Sequence, residues 1–290
     1  EYFGAVGDGT TDDYDAIMDA YEYCDTNKVD LLFLPNKKYL CGTTLVFDKA
    51  VSFKMLGAVK SSATVALQIG SNDAEKSYID CLVNVVNSTA VSDSKIGCNV
   101  INISNSKIEF ANVDSFETGI KLVGNGYGTC YNQFYINMIR NCKVGVLITN
   151  SNSGWCNENL FIGGRIFVAT TSPYKATCVG VQIGETGITS SPNSNYFLHP
   201  CLEGMNVAVS IFKGAFNTFE AIRAESVGTT LKINAGNIYN NMVTVAYGST
   251  TKVYTTTTSI DTNVVKSTND GNNRERYTIF DGSALFRKIA

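Results

Sequence analysis

The sequence predicts an all-β protein, a single-stranded parallel β-helix, and three observations carry that reading. First, an asparagine followed two residues later by phenylalanine recurs at Asn132, Asn159, Asn195 and Asn217, with Asn241-Met242-Val243 as a weaker fifth copy. The spacings are 27, 36, 22 and 24 residues, the scale of one turn of a solenoid. Second, aligning on the asparagine brings apolar residues into columns: Ile139, Ile166, Leu202 and Ala224 lie seven positions on, Val146, Val209 and Leu231 fourteen, and Ile148, Ile211 and Ile233 sixteen. Third, 25 Gly against 4 Pro, with only 17% charged residues, is the composition of a chain of short strands and tight turns.

Residues 1–60 read as an N-terminal cap. Ile17, Ala20, Tyr21 and Cys24 lie on one face of an amphipathic helix, and Thr10, Thr11 and Asp12 stand where an N-cap is expected. Asp12, Asp13 and Asp15 sit where the helix dipole favours anions. Leu31 to Leu34 before Pro35, Tyr39 to Cys41 and Leu45 to Phe47 read as short strands.

Residues 61–247 form the β-helix proper. Counting 26 residues back from Asn132 places Ser106 in the asparagine column and brings Ile108, Val113, Ile120 and Leu122 into register with the later coils. Asparagine suits a corner because it tolerates left-handed backbone and its amide can bond its neighbours above and below. The long step from Asn159 to Asn195 places its excess in Ala169 to Thr177 and Gly184 to Ser194. These are either binding loops or simple drift in coil length.

Residues 248–290 lose the register and read as a tail that contacts sister subunits or leads into a further domain. The chain opens at Glu1 without Met, signal or transit segment, and is expected to be a fragment or a processed piece of something longer.

The segment Tyr2-Phe3-Gly4-Ala5-Val6-Gly7-Asp8-Gly9-Thr10-Thr11-Asp12-Asp13 resembles the opening of the pectate-lyase-like superfamily, as found in phage tailspikes and tail appendages. The stretches Gly154 to Arg165 and Asn217 to Glu225 look like coils of tailspike-type proteins, so the resemblance spans roughly residues 1–245. It implies a right-handed helix whose open end is capped by the short N-terminal helix. It also implies a homotrimeric virion protein of a phage tail, assembled in the host cytoplasm beside other tail or baseplate proteins, that binds and often cleaves bacterial surface polysaccharide. The chain departs from polygalacturonases in lacking their Asn-Thr-Asp, Asp-Asp and Gly-His-Gly signatures, and it offers no calcium-binding aspartate cluster of the pectate lyase kind. Plant pectin is therefore not the expected substrate.

Candidate chemistry follows from the columns. Position seven faces inward, so positions six and eight face outward. Position six carries Asn112, Met138, Arg165, Cys201 and Arg223; position eight carries Asp114, Arg140, Phe167, Glu203 and Glu225. Glu203 and Glu225 are expected one rung apart, an arrangement able to hold one proton between two carboxyls and so to supply an acid with a base or nucleophile. Retaining glycosidases place these groups ~5–5.5 Å apart and inverting ones ~6.5–9.5 Å. The alternative reading is an Arg–Glu ladder that neutralises the face, or a subunit contact. Arg165, Arg223, Trp155 and His199 are the candidate substrate-binding residues; Trp155 serves equally as filling at a coil junction, and His199 as a corner. Glu158 and Glu220 flank corners and are weaker candidates.

Other classes find little support. A net charge of −3 supplies no basic stripe for nucleic acid, and the apolar runs are too short for membrane insertion. No cofactor or metal is expected: the nine Cys form no CxxC pair, one His cannot build a His-rich site, and the N-terminal glycines precede no Gly-Lys-Ser/Thr. The cysteines read as small buried hydrophobes in a reducing compartment. Three functions remain: a tailspike depolymerase, hydrolase or lyase; a non-catalytic glycan-binding or structural appendage; and a cellular or secreted polysaccharide-degrading enzyme of the same superfamily.

Overall fold

The computed structural model describes residues 2–89, 94–234 and 241–245 in full and, as backbone, residues 238–239, 246–248, 253–255, 263–267, 276–280 and 287–289. The chain winds as a parallel β-solenoid of about nine turns. One all-parallel sheet takes a single strand from each of nine successive coils, from Leu45–Phe47 to Val253–Thr255. A second, larger sheet takes two shorter strands from most coils, such as Tyr196–Leu198 and Cys201–Glu203. A short third sheet, ending at Trp155–Asn157, closes part of the circuit.

The stack already includes the N-terminal segment, where Asp8–Asp12 pairs with Lys38–Cys41 and that strand with Ala58–Ser61. The helix Tyr14–Asn27 buries Ile17, Tyr21 and Cys24, and Tyr21 stacks on Phe47 of the first coil at 4.5 Å between centroids. It covers the apolar end that a solenoid leaves open.

The helix start differs from the expected cap. Thr10 and Thr11 belong to the strand Asp8–Asp12, and Asp13 is the N-cap without a side-chain bond to the helix. The buried Asp13 carboxylate instead accepts from Val6 N (2.6 Å) and Gly7 N (3.2 Å), while Asp12 Oδ1 accepts from Tyr14 N (3.0 Å). Asp8 Oδ1 accepts from the N–H groups of Thr10 (2.7 Å) and Thr11 (2.8 Å). These three aspartates are therefore engaged in turns and the helix entry.

The columns stack as the spacing predicts. Ile139, Ile166, Leu202 and Ala224 are register partners and buried. Phe134, Phe161, Phe197 and Phe219 form a ladder of stacked rings at 4.9, 4.1 and 4.5 Å, an offset-stacked arrangement that adds to the area each ring buries.

The asparagine ladder is continuous and buried. Asn195 Oδ1 accepts from both the backbone N–H (3.3 Å) and the amide (3.0 Å) of Asn159, and Asn195 in turn donates both of its N–H groups to Asn217 Oδ1 (3.1 and 3.0 Å). Asn132, Asn217 and Asn241 repeat the pattern, and Ser106 N ends it by donating to Asn132 Oδ1. The left-handed residue is not the asparagine. It is the residue before it: Asn105 (φ 48°), Tyr131 (59°), Glu158 (55°), Ser194 (54°) and Phe216 (56°). The preceding residue turns the corner, which leaves the asparagine side chain aimed along the stack.

All nine cysteines are free, eight buried and Cys201 partly so. Parallel stacking continues past residue 247, since Asn263–Ser267 pairs in parallel with Met242–Gly248; the strand direction then reverses at Arg276–Phe280, which pairs antiparallel. The side chains of the expected tail, 248–290, lie outside the described residues.

Candidate functional site

The outward columns meet on the larger sheet at the coils that begin with Asn159, Asn195 and Asn217. Three parallel strands, Arg165–Phe167, Cys201–Glu203 and Thr218–Glu225, set Arg165, Cys201 and Arg223 in one row and Phe167, Glu203 and Glu225 in the next. Parallel strands lie ~4.8 Å apart, so Glu203 and Glu225 stand one rung apart on the same face.

Each carboxylate has its own arginine. Arg165 reaches diagonally across the rung and places Nε (2.8 Å) and Nη2 (2.7 Å) on the same oxygen, Oε2 of Glu203. Its guanidinium also lies 4.5 Å from the Phe167 ring centroid, which restricts it further. Arg223 pairs with Glu225 from two residues back along its own strand and is the more exposed arginine. One coil earlier, Arg140 pairs with Asp114 at 3.0 Å, so the charged row continues down the stack. The structure thus brings Arg165, Glu203, Arg223 and Glu225 together as carboxylates in register, each neutralised by an arginine. Cys201 sits between the two arginines, half-buried, and burial pushes its thiol up.

The remaining candidates stand at a corner and on the third sheet. His199 is an exposed left-handed corner (φ 52°) between Tyr196–Leu198 and Cys201–Glu203, and its N–H donates to Glu220 O. Trp155 is on the short third sheet, partly exposed, against the preceding coil: a Cβ on Gly128 would come within 2.4 Å of its Nε1. His199 thus stands at a corner and Trp155 at a coil junction. Glu158 is an exposed corner, while Glu220 is register partner to Leu198.

The first of the two long segments adjoins this region, and the second lies against the part of the coil that carries Gly154. Ala169 to Thr177 follows Phe167 after the buried Val168, buries Tyr174, and bonds Gly204 O through Lys175 Nζ. Gly184 to Ser194 is stitched down by Lys213 Nζ on Ile188 O (2.9 Å) and Thr189 O (2.7 Å) and by Asn150 on Ser190 O (3.0 Å). Residues that the sequence did not single out include Phe167, whose packing under Arg165 is visible only once the rungs are stacked, and Cys201. Those at the left-handed corners share no residue type and so form no column.

A family model described as rhamnogalacturonase A/epimerase, pectate lyase-like, matches residues 1–207. No curated protein matches the sequence. Among solved structures, the chain resembles ORF18 of Geobacillus virus E2, with a TM-score of 0.59 and 16% identity over 96% of this chain and 63% of that one. The phiAB6 tailspike, solved in complex with three-repeated oligosaccharides of Acinetobacter baumannii surface polysaccharide, matches with a TM-score of 0.48 and 15% identity over 100% of this chain and 56% of that one. The chain spans less than two thirds of the length of either structure. The first likeness establishes the fold.

Proposed function

The chain belongs to the rhamnogalacturonase A/epimerase, pectate lyase-like family, and from that premise we propose that it binds a bacterial surface polysaccharide along its larger sheet and cleaves it at Glu203 and Glu225. The observation that supports this reading most is the register of those two carboxylates on one outward face, at a rung spacing close to the ~5–5.5 Å of retaining glycosidases.

The roles follow from the partners. Glu203 is held by two bonds from an arginine that is itself stacked on Phe167, and in this scheme it serves as nucleophile or base. Glu225 is held by the more exposed Arg223, the partner a bound sugar displaces more easily. With Arg223 drawn onto the glycan, Glu225 is released from its ion pair and takes the part of the general acid. Arg165 and Arg223 bind substrate, with Trp155 and His199 as outlying contacts. No cofactor or metal enters this scheme. The setting is a phage tail protein of the virion, homotrimeric and joined to other tail proteins.

A second reading, a non-catalytic glycan-binding appendage, is favoured by the same ion pairs, because paired arginines and glutamates also simply neutralise the face. Incubation with purified capsular or O-chain polysaccharide, followed by chain length and reducing-end release, separates the two. Progressive shortening supports the depolymerase; binding without shortening assigns the chain to the second reading.

A further inference from the structure

The left-handed corners present a feature that folding does not account for. Tyr78 (φ 60°) and Tyr131 (φ 59°) occupy equivalent corners two rungs apart, with Asn105 (φ 48°) between them. Left-handed backbone is costly for a bulky residue and cheap for asparagine or glycine. Yet Tyr78 is 82% and Tyr131 59% exposed, so neither ring offsets that cost by burial. Strain kept at an exposed aromatic points to a role outside the fold.

The two rings bound a groove of about 400 Å³, within the ~300–1,000 Å³ range of ligand sites. Its floor carries Asp80, Lys107 and Gln133, register partners on three successive rungs, and its rim carries Asn105. Lys107 Nζ is 4.0 Å from Asp80 Oδ2, and Lys54 Nζ is 3.4 Å from Asp80 Oδ1, so the floor has no large excess of one charge. The charge of Glu158 at the next corner, and a hydrogen bond to it, raise the pKa of the Tyr131 phenol.

We propose that this groove is a second glycan-binding site, in which Tyr78 and Tyr131 stack on the faces of sugar rings while Asp80, Asn105, Lys107 and Gln133 bond their hydroxyls. Flat aromatic faces beside amides and one carboxylate match a ring that is apolar on its faces and hydroxylated at its edge. The near-neutral floor suits such a ligand better than a polyanion. The two rings stand ~9.6 Å apart along the stack, twice the rung spacing, which suits alternate rings of one extended chain. The groove is separate from the Arg165, Glu203, Arg223 and Glu225 cluster: it lies at the start of the sheet strands and about three rungs, or ~14 Å, further toward the N-terminal end. The inference rests on the reading of the ligand as a polysaccharide.

Tyr78→Asn and Tyr131→Asn test it, because asparagine suits left-handed backbone and the variants should melt at or above the wild-type temperature. The probe is an array of bacterial capsular and O-chain oligosaccharides, read with wild type, each tyrosine variant and the Glu203→Gln/Glu225→Gln double variant. The expected result is binding retained by the double variant and weakened about tenfold by each tyrosine variant. Tyrosine variants that bind like wild type overturn the second site and leave the proposed function standing. A tyrosine variant that changes the oligomer's size while glycan binding stays unchanged overturns it in favour of a subunit contact. Absence of any wild-type signal on the array overturns the polysaccharide reading and this site with it.

Discussion

Glu203 and Glu225 face each other in register on neighbouring rungs, and each is neutralised from a different direction. Arg165 comes to Glu203 from the preceding coil with two bonds to one oxygen, and Arg223 comes to Glu225 along its own strand. The difference is measurable. Double-mutant cycles in urea should give Arg165–Glu203 a coupling of about 0.5–1 kcal/mol, and Arg223–Glu225 less, because an exposed arginine is better screened and loses more side-chain freedom. Equal couplings would contradict the division of roles.

The asparagine ladder should tolerate little. Asn195→Ala removes the acceptor for two donors of Asn159 and takes from Cys156 O and Asn217 Oδ1 the bonds donated by the Asn195 amide, all in a buried stack; the backbone N–H of residue 195 still reaches Asn217 Oδ1. A cost of roughly 2–4 kcal/mol is expected, read from the urea midpoint. Asn195→Asp should do no better, since a carboxylate cannot donate to those two oxygens.

Thiol chemistry reports on the same face. Burial pushes the Cys41 and Cys142 thiols up to about 12 and the others upward too, which suppresses the reactive thiolate. In native protein at mildly alkaline pH, Cys201 should label first, its position between Arg165 and Arg223 being the only partly exposed one. A bulky adduct there should reduce polysaccharide cleavage, whereas unfolding should release all nine thiols.

The N-terminal turn gives a pH dependence. The backbone N–H groups of Thr11 and Thr10 hold the Asp8 carboxyl well below the usual carboxylate range. A lowered folded-state pKa stabilises above the unfolded value, near 4, and that contribution is lost as pH falls below it. Melting temperature followed from pH 6 into the acid range should therefore drop more for wild type than for Asp8→Asn.

Much of the solenoid was readable because its rules are periodic. A column such as Ile139, Ile166 and Leu202 needs only a constant spacing and an inward side chain, and the ladder needs an asparagine at the same phase. The corner itself was misplaced by one residue, onto Asn132 and its equivalents rather than Tyr131 and its equivalents. Left-handed backbone there is met by Asn, Tyr, Glu, Ser or Phe in turn, so it writes no column. Trp155 and His199 showed their chemistry but not the sheet and the corner on which they stand. The groove between Tyr78 and Tyr131 is a shape made by three coils together and exists only after the rungs are stacked.

The central claim is that Glu203 and Glu225 cleave polysaccharide. Its most direct measurement is the shortening of capsular or O-chain polysaccharide, followed by size-exclusion chromatography, with wild type, Glu203→Gln and Glu225→Gln. The account predicts shortening by wild type and at least a hundredfold loss in each variant, about 2.7 kcal/mol of transition-state stabilisation, with the fold and the corner groove intact. Shortening that persists at the wild-type rate in both variants would contradict it.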